Sequence, residues 1–461
     1  MKPYLKEALT LSDGKFADLR YERTRSKTIQ YEKMNLKGVS STVIEGGQAR
    51  ALKDGGLAYR SFTDIGKAGA AVRGACRSAG VMGRAGRAKE GLAKAPVVVE
   101  DVKATPAIDP REVDEAEKRK LVEEYAKLAL SVPGVVSTTI TYMERFSDET
   151  LVNTEGTEIT QEILLCRIGG RIIAKEGERV EMSSFSIGYD QDYRRLLDRH
   201  ELVEKKARTA AELLKAERIK PGVHTVVCDP DLAGVFTHEA FGHLSESDDM
   251  VNNASLREGM KIGLKLGRPI LNIVDQGNFP GAPGTYPYDQ EGVPTQKTYL
   301  IKNGVLTGRL YSRNTAFRLG GEPTGNYRAS SYRHAPIVRQ TNIFIEAGDS
   351  TFQEMVDSID EGYYLCGGKG GQTMGDIFTF GAWHGWEIRG GELGKMVSEI
   401  NISGNVLQTL GNIAMIGKDF EMNEWGGCGK TRAALYNMQM LSKSGTGGPH
   451  IKIEDVVIGG R

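Results

Sequence analysis

Short segments in which apolar and polar residues alternate, or in which apolar residues run together, follow one another along most of this chain. Such patterns predict β-strands, and the frequent glycines between them predict tight turns. Asn303-Gly304, between the apolar segments 299–302 and 305–310, predicts a hairpin with a two-residue turn. Asp54-Gly55-Gly56 predicts a second hairpin near the N-terminus.

Longer segments with helical periodicity interrupt the strands. We predict helices over about residues 64–78, 109–130 and 193–216, the last one ended by Pro221-Gly222. Residues 79–98 contain much Gly, Ala, Lys and Arg but few large apolar side chains, and they predict an irregular connection. Ser350 and Gln353 predict a capping box for a short helix.

These elements predict an α+β fold. We expect a β-rich N-terminal α/β region, followed by a large, mainly antiparallel-β C-terminal domain that carries a helix with two histidines. The predicted division is a β-rich subdomain with a helix over residues 1–100, a middle α/β subdomain over 101–218 and a C-terminal domain over 219–461. A chain of this length has ample room for two or three domains.

Composition narrows the range of functions. Lys plus Arg and Asp plus Glu each number 60, so the formal net charge is zero, which argues against direct nucleic-acid binding. No apolar run approaches the roughly 18 residues of a membrane span, and the charged N-terminus lacks the apolar core of a signal peptide. We therefore expect a cytoplasmic protein without a membrane partner. Five scattered cysteines predict no disulfide framework.

The strongest candidate for chemistry is the segment from His238 to His243, in which Glu239 follows the first histidine. In zinc hydrolases two imidazoles hold the metal and the glutamate takes a proton from metal-bound water. The usual spacing is four residues. A spacing of five separates the side chains by about 140° on a regular helix, so only a π-bulge or an early helix end would bring them together. Gly242 would ease such a distortion. The alternative is an ordinary helix with two unrelated histidines.

A catalytic zinc ion needs a third protein ligand. Glu246, Asp248 and Asp249 follow the histidines directly and are candidates. Cys428 is the distant candidate: glycines flank it, and the neighbouring Lys430 would favour its thiolate form. The residues alone leave these possibilities open.

Tyr332 and His334 lie in a loop-like segment, residues 323–336, and either could stabilise the oxyanion of a tetrahedral intermediate. The alternative is a loop whose side chains bond to the backbone. Gly429-Lys430-Thr431 matches the end of a phosphate-binding loop, but Glu424 stands where that pattern requires glycine. The sequence therefore does not predict a nucleotide site.

The segment His238–His243 resembles the signature of TldD proteins, in the TldD/PmbA family of metalloproteases. Further blocks that resemble the family follow in the expected order, at residues 323–326, 331–332, 341–342, 370–372 and 427–430. The likeness covers almost the whole chain and is densest from residue 220 to the end.

The resemblance implies a zinc peptidase in which His238, His243 and Cys428 bind Zn²⁺ and Glu239 is the catalytic base. The histidines are absent from the PmbA branch, so they indicate the TldD branch. The resemblance also implies an enclosed site, unfolded or extended peptide substrates bound as an added strand, and a homodimer or a heterodimer with a PmbA-like subunit. Thr431-Arg432 stands where the family usually continues with Gly-Gln, so the resemblance does not predict the shape of the local pocket.

Two other functions stay open. A dipeptidyl-peptidase of the His-Glu-x-x-Gly-His type matches the six residues, but it requires a downstream Glu-Glu motif, and none is convincing here. A peptide-binding or scaffold protein with a structural or vestigial metal would have a closed site of four protein ligands. An open fourth position beside Glu239 would instead indicate catalysis.

Overall fold

The computed structural model describes residues 1–86, 89–424, 426–432, 437–441 and 443–459, and it confirms an α+β fold. A π-helical turn covers Thr237–Gly242, and 3₁₀ turns cover Ile65–Lys67, Tyr193–Leu196 and His243–Ser245. The α-helices are α1 Lys2–Leu9, α2 Ala68–Ala85, α3 Glu115–Leu130, α4 His200–Leu213, α5 Pro230–Phe236, α6 Ser247–Met250, α7 Ala254–Gly259, α8 Arg313–Leu319, α9 Phe352–Asp357 and α10 Val406–Gly411.

The strands before residue 200 form one seven-stranded sheet. They are β1 Phe16–Glu32, β2 Asn35–Lys53, β3 Gly56–Phe62, β4 Val99–Val102, β5 Val135–Asn153, β6 Glu158–Glu176 and β7 Arg179–Asp190. Their order is β3-β2-β1-β5-β6-β4, with β7 also paired to β6. The sheet joins strands from both sides of residue 100 in one layer, and the predicted division at residues 100 and 218 stays a prediction.

Two hydrophobic clusters lie against this sheet. One places α1 and α2 on β1–β3 and buries Leu19 and Val72 fully. The other places α3 and α4 on β5–β7 and buries Val122 and Ile168 fully. The alternating burial along β5 matches the period of two that a strand with one covered face shows.

The remaining strands form the C-terminal region. They are β8 Glu217–Arg218, β9 Gly222–Cys228, β10 Ile273–Gln276, β11 Lys297–Lys302, β12 Val305–Leu306, β13 Tyr327–Arg328, β14 Ile337–Val338, β15 Asn342–Ile345, β16 Glu361–Met374, β17 Ile377–Arg389, β18 Glu392–Ser398, β19 Ile400–Asn405, β20 Ile413–Ile416, β21 Glu421–Met422, β22 Cys428–Arg432, β23 Asn437–Leu441, β24 Gly445–Gly448 and β25 Ile451–Gly459.

A six-stranded and an eight-stranded sheet dominate this region. The six-stranded sheet has the order β12-β11-β10-β15-β24-β21, and the larger one follows β16-β9-β25-β19-β17-β18-β8, with β20 paired to β25. Most neighbouring strands are antiparallel, as predicted; β9–β16, β8–β18 and β15–β24 are parallel. One hydrophobic core contains residues of both sheets and of α5, so this short helix is fixed by packing on all sides.

Turn residues explain most of the local agreement with the sequence. Asn303 and Gly304 both have positive φ angles, of 50° and 76°, and they join β11 to β12 as the predicted hairpin. The predicted capping box is wrong by one residue. Thr351 and Glu354 form it instead, because the Glu354 carboxylate accepts from the Thr351 amide at 2.7 Å and from its hydroxyl at 2.9 Å.

Helix α2 continues to Ala85, so the irregular connection predicted from residue 79 is wrong for its first seven residues. These residues looked unlike a helix because only Val81 and Met82 among them have large apolar side chains, and both of these are exposed. The glycine at position 83 has a packing reason: a Cβ atom there would lie 2.5 Å from the carbonyl oxygen of Asp54 and 2.6 Å from the amide nitrogen of Gly56. The helix therefore contacts the backbone of the β2–β3 turn directly.

Polar contacts bind the N-terminal sheet to the C-terminal region. The buried guanidinium of Arg50 forms ion pairs with Asp18 of its own sheet and with Glu291 of the C-terminal region. The hydroxyls of Tyr59 and Tyr327 are 2.7 Å apart. Ion pairs that lose their water need such complementary partners, so the two halves are fixed in one relative position.

No helix in the described part of the chain is long and apolar enough to cross a membrane.

Gly83→Ala should lower the free energy of unfolding by about 1–3 kcal/mol, because the added methyl group overpacks the contact with the β2–β3 turn. Helix propensity alone would predict the opposite, because alanine stabilises a helix by about 1 kcal/mol relative to glycine. Gly80→Ala in the same helix is the matched control, since the nearest atoms to a Cβ there belong to the flexible side chains of Arg84, Asp54 and Lys53, at 3.2, 3.4 and 3.5 Å. Thermal unfolding of the three proteins measures the difference, and equal stability of Gly83→Ala and Gly80→Ala would contradict the close contact.

Candidate metal centre

The site begins at the turn between β9 and α5. Asp229 caps the helix, because its carboxylate accepts from the Leu232 amide at 2.8 Å, and Pro230 occupies the first helical position. The same carboxylate accepts from the amide of Gly367 at 3.0 Å, which holds the start of α5 against β16. The helix axis is thereby fixed before the chain reaches the histidines.

The helix changes to a π-helical turn at Thr237, which confirms the predicted distortion. In a π-turn the hydrogen bonds connect residues five apart, so residues at that spacing lie close to one another. The rings of His238 and His243 are accordingly 4.9 Å apart between centroids. Gly242 has ordinary helical angles, φ −56° and ψ −48°. The glycine instead leaves room for the side-chain amide of Gln340, which a Cβ atom at position 242 would displace.

Strand β22 brings Cys428 to the two histidines. Its sulfur lies 3.0 Å from Nε2 of His238 and 3.3 Å from Nε2 of His243. The three potential ligand atoms all lie within 4.8 Å of one another. Cys428 and His238 are 7% and 6% exposed. The fold therefore gathers three predicted site residues in one largely buried cluster, although Cys428 is 190 positions from His238 in sequence.

Electrostatics favour a charged pair in this cluster. Burial opposes ionisation of the Cys428 thiol, but the two imidazoles outweigh it and hold the pKa of Cys428 well below its usual range. Burial also opposes protonation of His243, but the carboxylate of Glu246 and the sulfur of Cys428 raise the pKa of His243 to about 10. A metal cation that binds the nitrogen takes the place of that proton.

The three carboxylates that follow the histidines surround Lys430. Its ammonium group lies 2.8 Å from Glu246, 2.7 Å from Asp248 and 3.0 Å from Asp249. Glu246 also accepts from Nδ1 of His243 at 3.1 Å. Burial raises the pKa of Glu246, but Lys430 and His243 outweigh that effect and hold it below its usual range. Glu246 is therefore placed to orient His243 from the outside of the cluster.

Glu239 lies between the two histidines along the π-turn and is half-buried. Its carbonyl oxygen accepts from the hydroxyl of Thr373. Its carboxylate makes no hydrogen bond or ion pair within the described part of the chain, in contrast to Glu246. A carboxylate without a fixed partner is available for proton transfer.

Two residues that the sequence analysis missed support the cluster from the segment after β14. Nη2 of Arg339 donates to the carbonyl oxygen of Cys428 at 2.9 Å, and Nε2 of Gln340 donates to that of His238 at 3.5 Å. The neighbouring Thr341-Asn342 block was the only sequence signal for this segment. Such contacts depend on tertiary structure and have no spacing rule that a single sequence could reveal.

Tyr332 and His334, the predicted substrate-binding residues, lie in a loop that the N-terminal sheet holds. Nε2 of Gln48 donates to the carbonyl oxygens of Tyr332 and His334 at 3.2 and 3.0 Å, and the hydroxyl of Ser61 donates to that of Tyr332 at 2.8 Å. The Tyr332 side chain is 2% exposed. A role in substrate binding stays a prediction for both residues.

The donors in the cluster fit a zinc ion. Imidazole nitrogen and thiolate sulfur are both common zinc ligands, with bond lengths of about 2.0–2.1 Å to nitrogen and about 2.3 Å to sulfur. In a tetrahedron these lengths separate sulfur and nitrogen by about 3.6 Å, close to the observed 3.0 and 3.3 Å. Over the described ranges, the cluster has no fourth potential ligand from a histidine, cysteine, aspartate or glutamate side chain. Three protein donors are typical of a catalytic site rather than a closed structural one.

Family comparisons agree with this chemistry. Sequence models of PmbA/TldA metallopeptidase domains match three consecutive segments: domain 1 at residues 17–80, the central domain at 108–217 and the C-terminal domain at 221–460. The last segment contains all three residues of the cluster.

Individual relatives match three quarters or more of the chain. A metalloprotease of Synechocystis is 35% identical over 97% of this chain and 96% of its own length. A protein of Saccharolobus solfataricus called a zinc metalloprotease TldD homolog is 32% identical over 76% of this chain and 78% of its own.

Solved structures confirm the fold. A putative modulator of a DNA gyrase from Thermotoga maritima superposes with a TM-score of 0.79 at 19% identity, over 99% of both chains. TldE from Thermococcus kodakarensis superposes with a TM-score of 0.75 at 20% identity, over 100% of both chains. At these identities the likeness shows the fold alone.

Cys428→Ala should strongly reduce the zinc retained by the purified protein, because it removes the only sulfur of the cluster. Cys366→Ala is the matched control: Cys366 is also buried, and it lies in β16 outside the cluster. Metal content by mass spectrometry is the measurement, with thermal unfolding to verify folding. Full zinc content in the Cys428→Ala protein would remove Cys428 from the ligand set.

Glu246→Gln should weaken zinc binding about 10–100-fold, the usual effect of losing a carboxylate that orients a metal-binding histidine. Asp249→Asn is the matched control, because Asp249 also pairs with Lys430 but is about half exposed and is not a partner of His243. Competition with a chelating dye measures the affinity. Equal losses in the two variants would show that Glu246 acts only through Lys430.

Proposed function

The chain belongs to the PmbA/TldA family of metallopeptidases, and on that premise we propose a zinc-dependent peptidase that cleaves unfolded or extended peptides. In this proposal His238, His243 and Cys428 hold the metal and Glu239 is the general base. The convergence of the three donor atoms within 4.8 Å is the observation that carries it. The relative called a zinc metalloprotease supports zinc as the metal.

Each residue of the cluster has a physical task in this mechanism. When bound, zinc would lower the pKa of a coordinated water and polarise the scissile carbonyl. Glu246 holds the ring of His243 in a fixed orientation by accepting from Nδ1. Glu239 accepts a proton on its carboxylate and donates it to the leaving amine, which cleavage of an amide requires.

The proposed assembly and substrate follow from the family. Both histidines are present, which favours the TldD branch, and the likeness to TldE structures is compatible with a homodimer or a heterodimer with a PmbA-like subunit. An enclosed site would admit extended chains and exclude folded ones. A peptide that pairs with the edge of a strand is bound through its backbone, so such a site would have little sequence specificity. Tyr332 and His334 are proposed to contact the substrate. A cytoplasmic location is part of the same proposal.

The two other functions have less support. A structural metal in a scaffold protein would have four protein ligands, whereas three donors converge in the described part of this chain. The dipeptidyl-peptidase type would need a glutamate from a downstream Glu-Glu motif as its third ligand. The sulfur of Cys428, close to both histidine rings, supports a cysteine as the third ligand instead.

Glu239→Gln should abolish peptide cleavage while leaving folding and zinc content unchanged. The amide keeps the size of the side chain but cannot accept a proton at neutral pH, and loss of a general base costs typically about 10²–10⁴-fold in rate. Glu258→Gln is the matched control, since Glu258 is an exposed glutamate of α7 outside the cluster. Cleavage of an unfolded, fluorogenic peptide mixture by the zinc-loaded full chain is the measurement. Cleavage at the control rate would refute Glu239 as the base.

A further inference from the structure

We infer that a cationic groove on the N-terminal sheet binds acidic segments of the polypeptide substrate; the inference rests on the proposed peptidase function and narrows its substrate class. The residues that define the cationic groove are Arg60, Lys67, Gly74, Arg77, Tyr332 and Arg333. Its volume of about 800 Å³ is within the range of ligand-binding clefts.

The walls of the cationic groove come from three elements. Edge strand β3 contributes Arg60 and helix α2 contributes Arg77, with Lys67 just before the helix. The small residues of α2 form the floor, and the aliphatic part of Arg60 crosses it so closely that a Cβ atom on Gly74 would lie 2.7 Å from its Cδ. The loop after β13 contributes the fourth cation, Arg333, which stacks on the ring of Tyr332.

These cations are not neutralised by the protein. Arg60, Lys67, Arg77 and Arg333 are exposed, and over the described ranges none of them forms an ion pair. No carboxylate is among the lining residues. Nearby Asp64 uses its carboxylate to cap the turn before α2, where it accepts from the Gly66 amide at 2.9 Å. An unneutralised group of like charges raises the local concentration of anions.

The charge is also segregated along the chain. Residues 60–94 contain eight basic residues and two acidic ones, although the whole chain has equal numbers of each. Two of the basic residues outside the cationic groove are paired: Arg84 pairs with Asp54 at 2.8 Å, and Lys89 donates to the Gly83 carbonyl oxygen at 2.5 Å. Three of the eight basic residues, Arg60, Lys67 and Arg77, line the cationic groove and add to its positive charge.

One chain segment joins the cationic groove to the candidate metal centre. Tyr332 and Arg333 line the cationic groove, and Arg339 and Gln340, a few residues later, donate to the backbone of Cys428 and His238. A polypeptide that occupies the cationic groove is thus held against the same segment that supports the cluster. This continuity favours an acidic polypeptide over a nucleic acid as the occupant.

The test is direct binding of two labelled, unfolded peptides of equal length, one with a run of glutamates and one with glutamines in their place. Fluorescence anisotropy with the zinc-loaded Glu239→Gln protein avoids cleavage. We expect the acidic peptide to bind about tenfold more tightly at low salt, and this preference to disappear as salt screens the charges. Equal binding of the two peptides, or a preference that salt leaves unchanged, would overturn the inference.

A triple variant, Arg60→Gln with Lys67→Gln and Arg77→Gln, should bind both peptides equally. The matched control removes the same charge elsewhere, with Lys120→Gln, Lys127→Gln and Arg208→Gln on the exposed faces of α3 and α4, and it should keep the preference. Loss of the preference in the control would show that net charge, not the cationic groove, selects the peptide. Displacement of the acidic peptide by stoichiometric single-stranded DNA would assign the cationic groove to nucleic acid instead.

Cleavage by the unmodified chain separates this inference from the proposed function. Cleavage of both peptides at equal kcat/KM, together with equal binding, would retain the peptidase and reject the cationic groove. Tighter binding of the acidic peptide without cleavage of either would retain the cationic groove and reject the peptidase.

Discussion

The candidate metal centre depends on a buried set of charges in which Lys430 is the central cation. Lys430 and Cys428 are two residues apart on β22, so both side chains project from the same face of that strand. The ammonium group engages Glu246 and Asp248 deep in the protein, and Glu246 in turn holds His243. Burying such charges costs more than their attraction returns unless every partner is in place. The pairing therefore acts chiefly on position: it fixes where the strand, and with it the sulfur, meets the histidines.

A second constraint acts from the helix side. A regular α-helix would point His238 and His243 in different directions, and the π-turn that corrects this is less favourable than continued α-helix. Packing maintains it, because α5 is enclosed by the core of two sheets and Gly242 lies directly against Gln340. A larger residue at position 242 would push that amide away from the carbonyl oxygen of His238. Glycine is thus needed for the contact between two segments and not for its own backbone angles.

The parts of this arrangement that sequence could predict are those set by local rules. A five-residue spacing predicts a distorted turn from helix geometry alone, and Asn303-Gly304 predicts its hairpin from the sign of φ. Cys428 is different. Its residue type and glycine neighbours did not distinguish it from Glu246 as the third metal ligand, and only the family resemblance favoured it. The role of Lys430 follows from contacts between segments about 180 residues apart, and no pattern in one sequence encodes such contacts. The end of α2 could not be predicted from an apolar pattern, because Gly83 packs against backbone atoms rather than apolar side chains.

The N-terminal sheet, which supplies none of the three cluster residues, still influences the candidate centre. The amide of Tyr332 donates to Glu22 of β1, and Gln48 of β2 holds the carbonyl oxygens on either side of Arg333. The same segment continues through β14 to Gln340, which supports the backbone at His238. A displacement of the sheet would thus be transmitted along a short, hydrogen-bonded segment to the cluster. Because interiors are close-packed and bonded polar groups resist separation, this segment fixes the position of the cluster relative to the sheet.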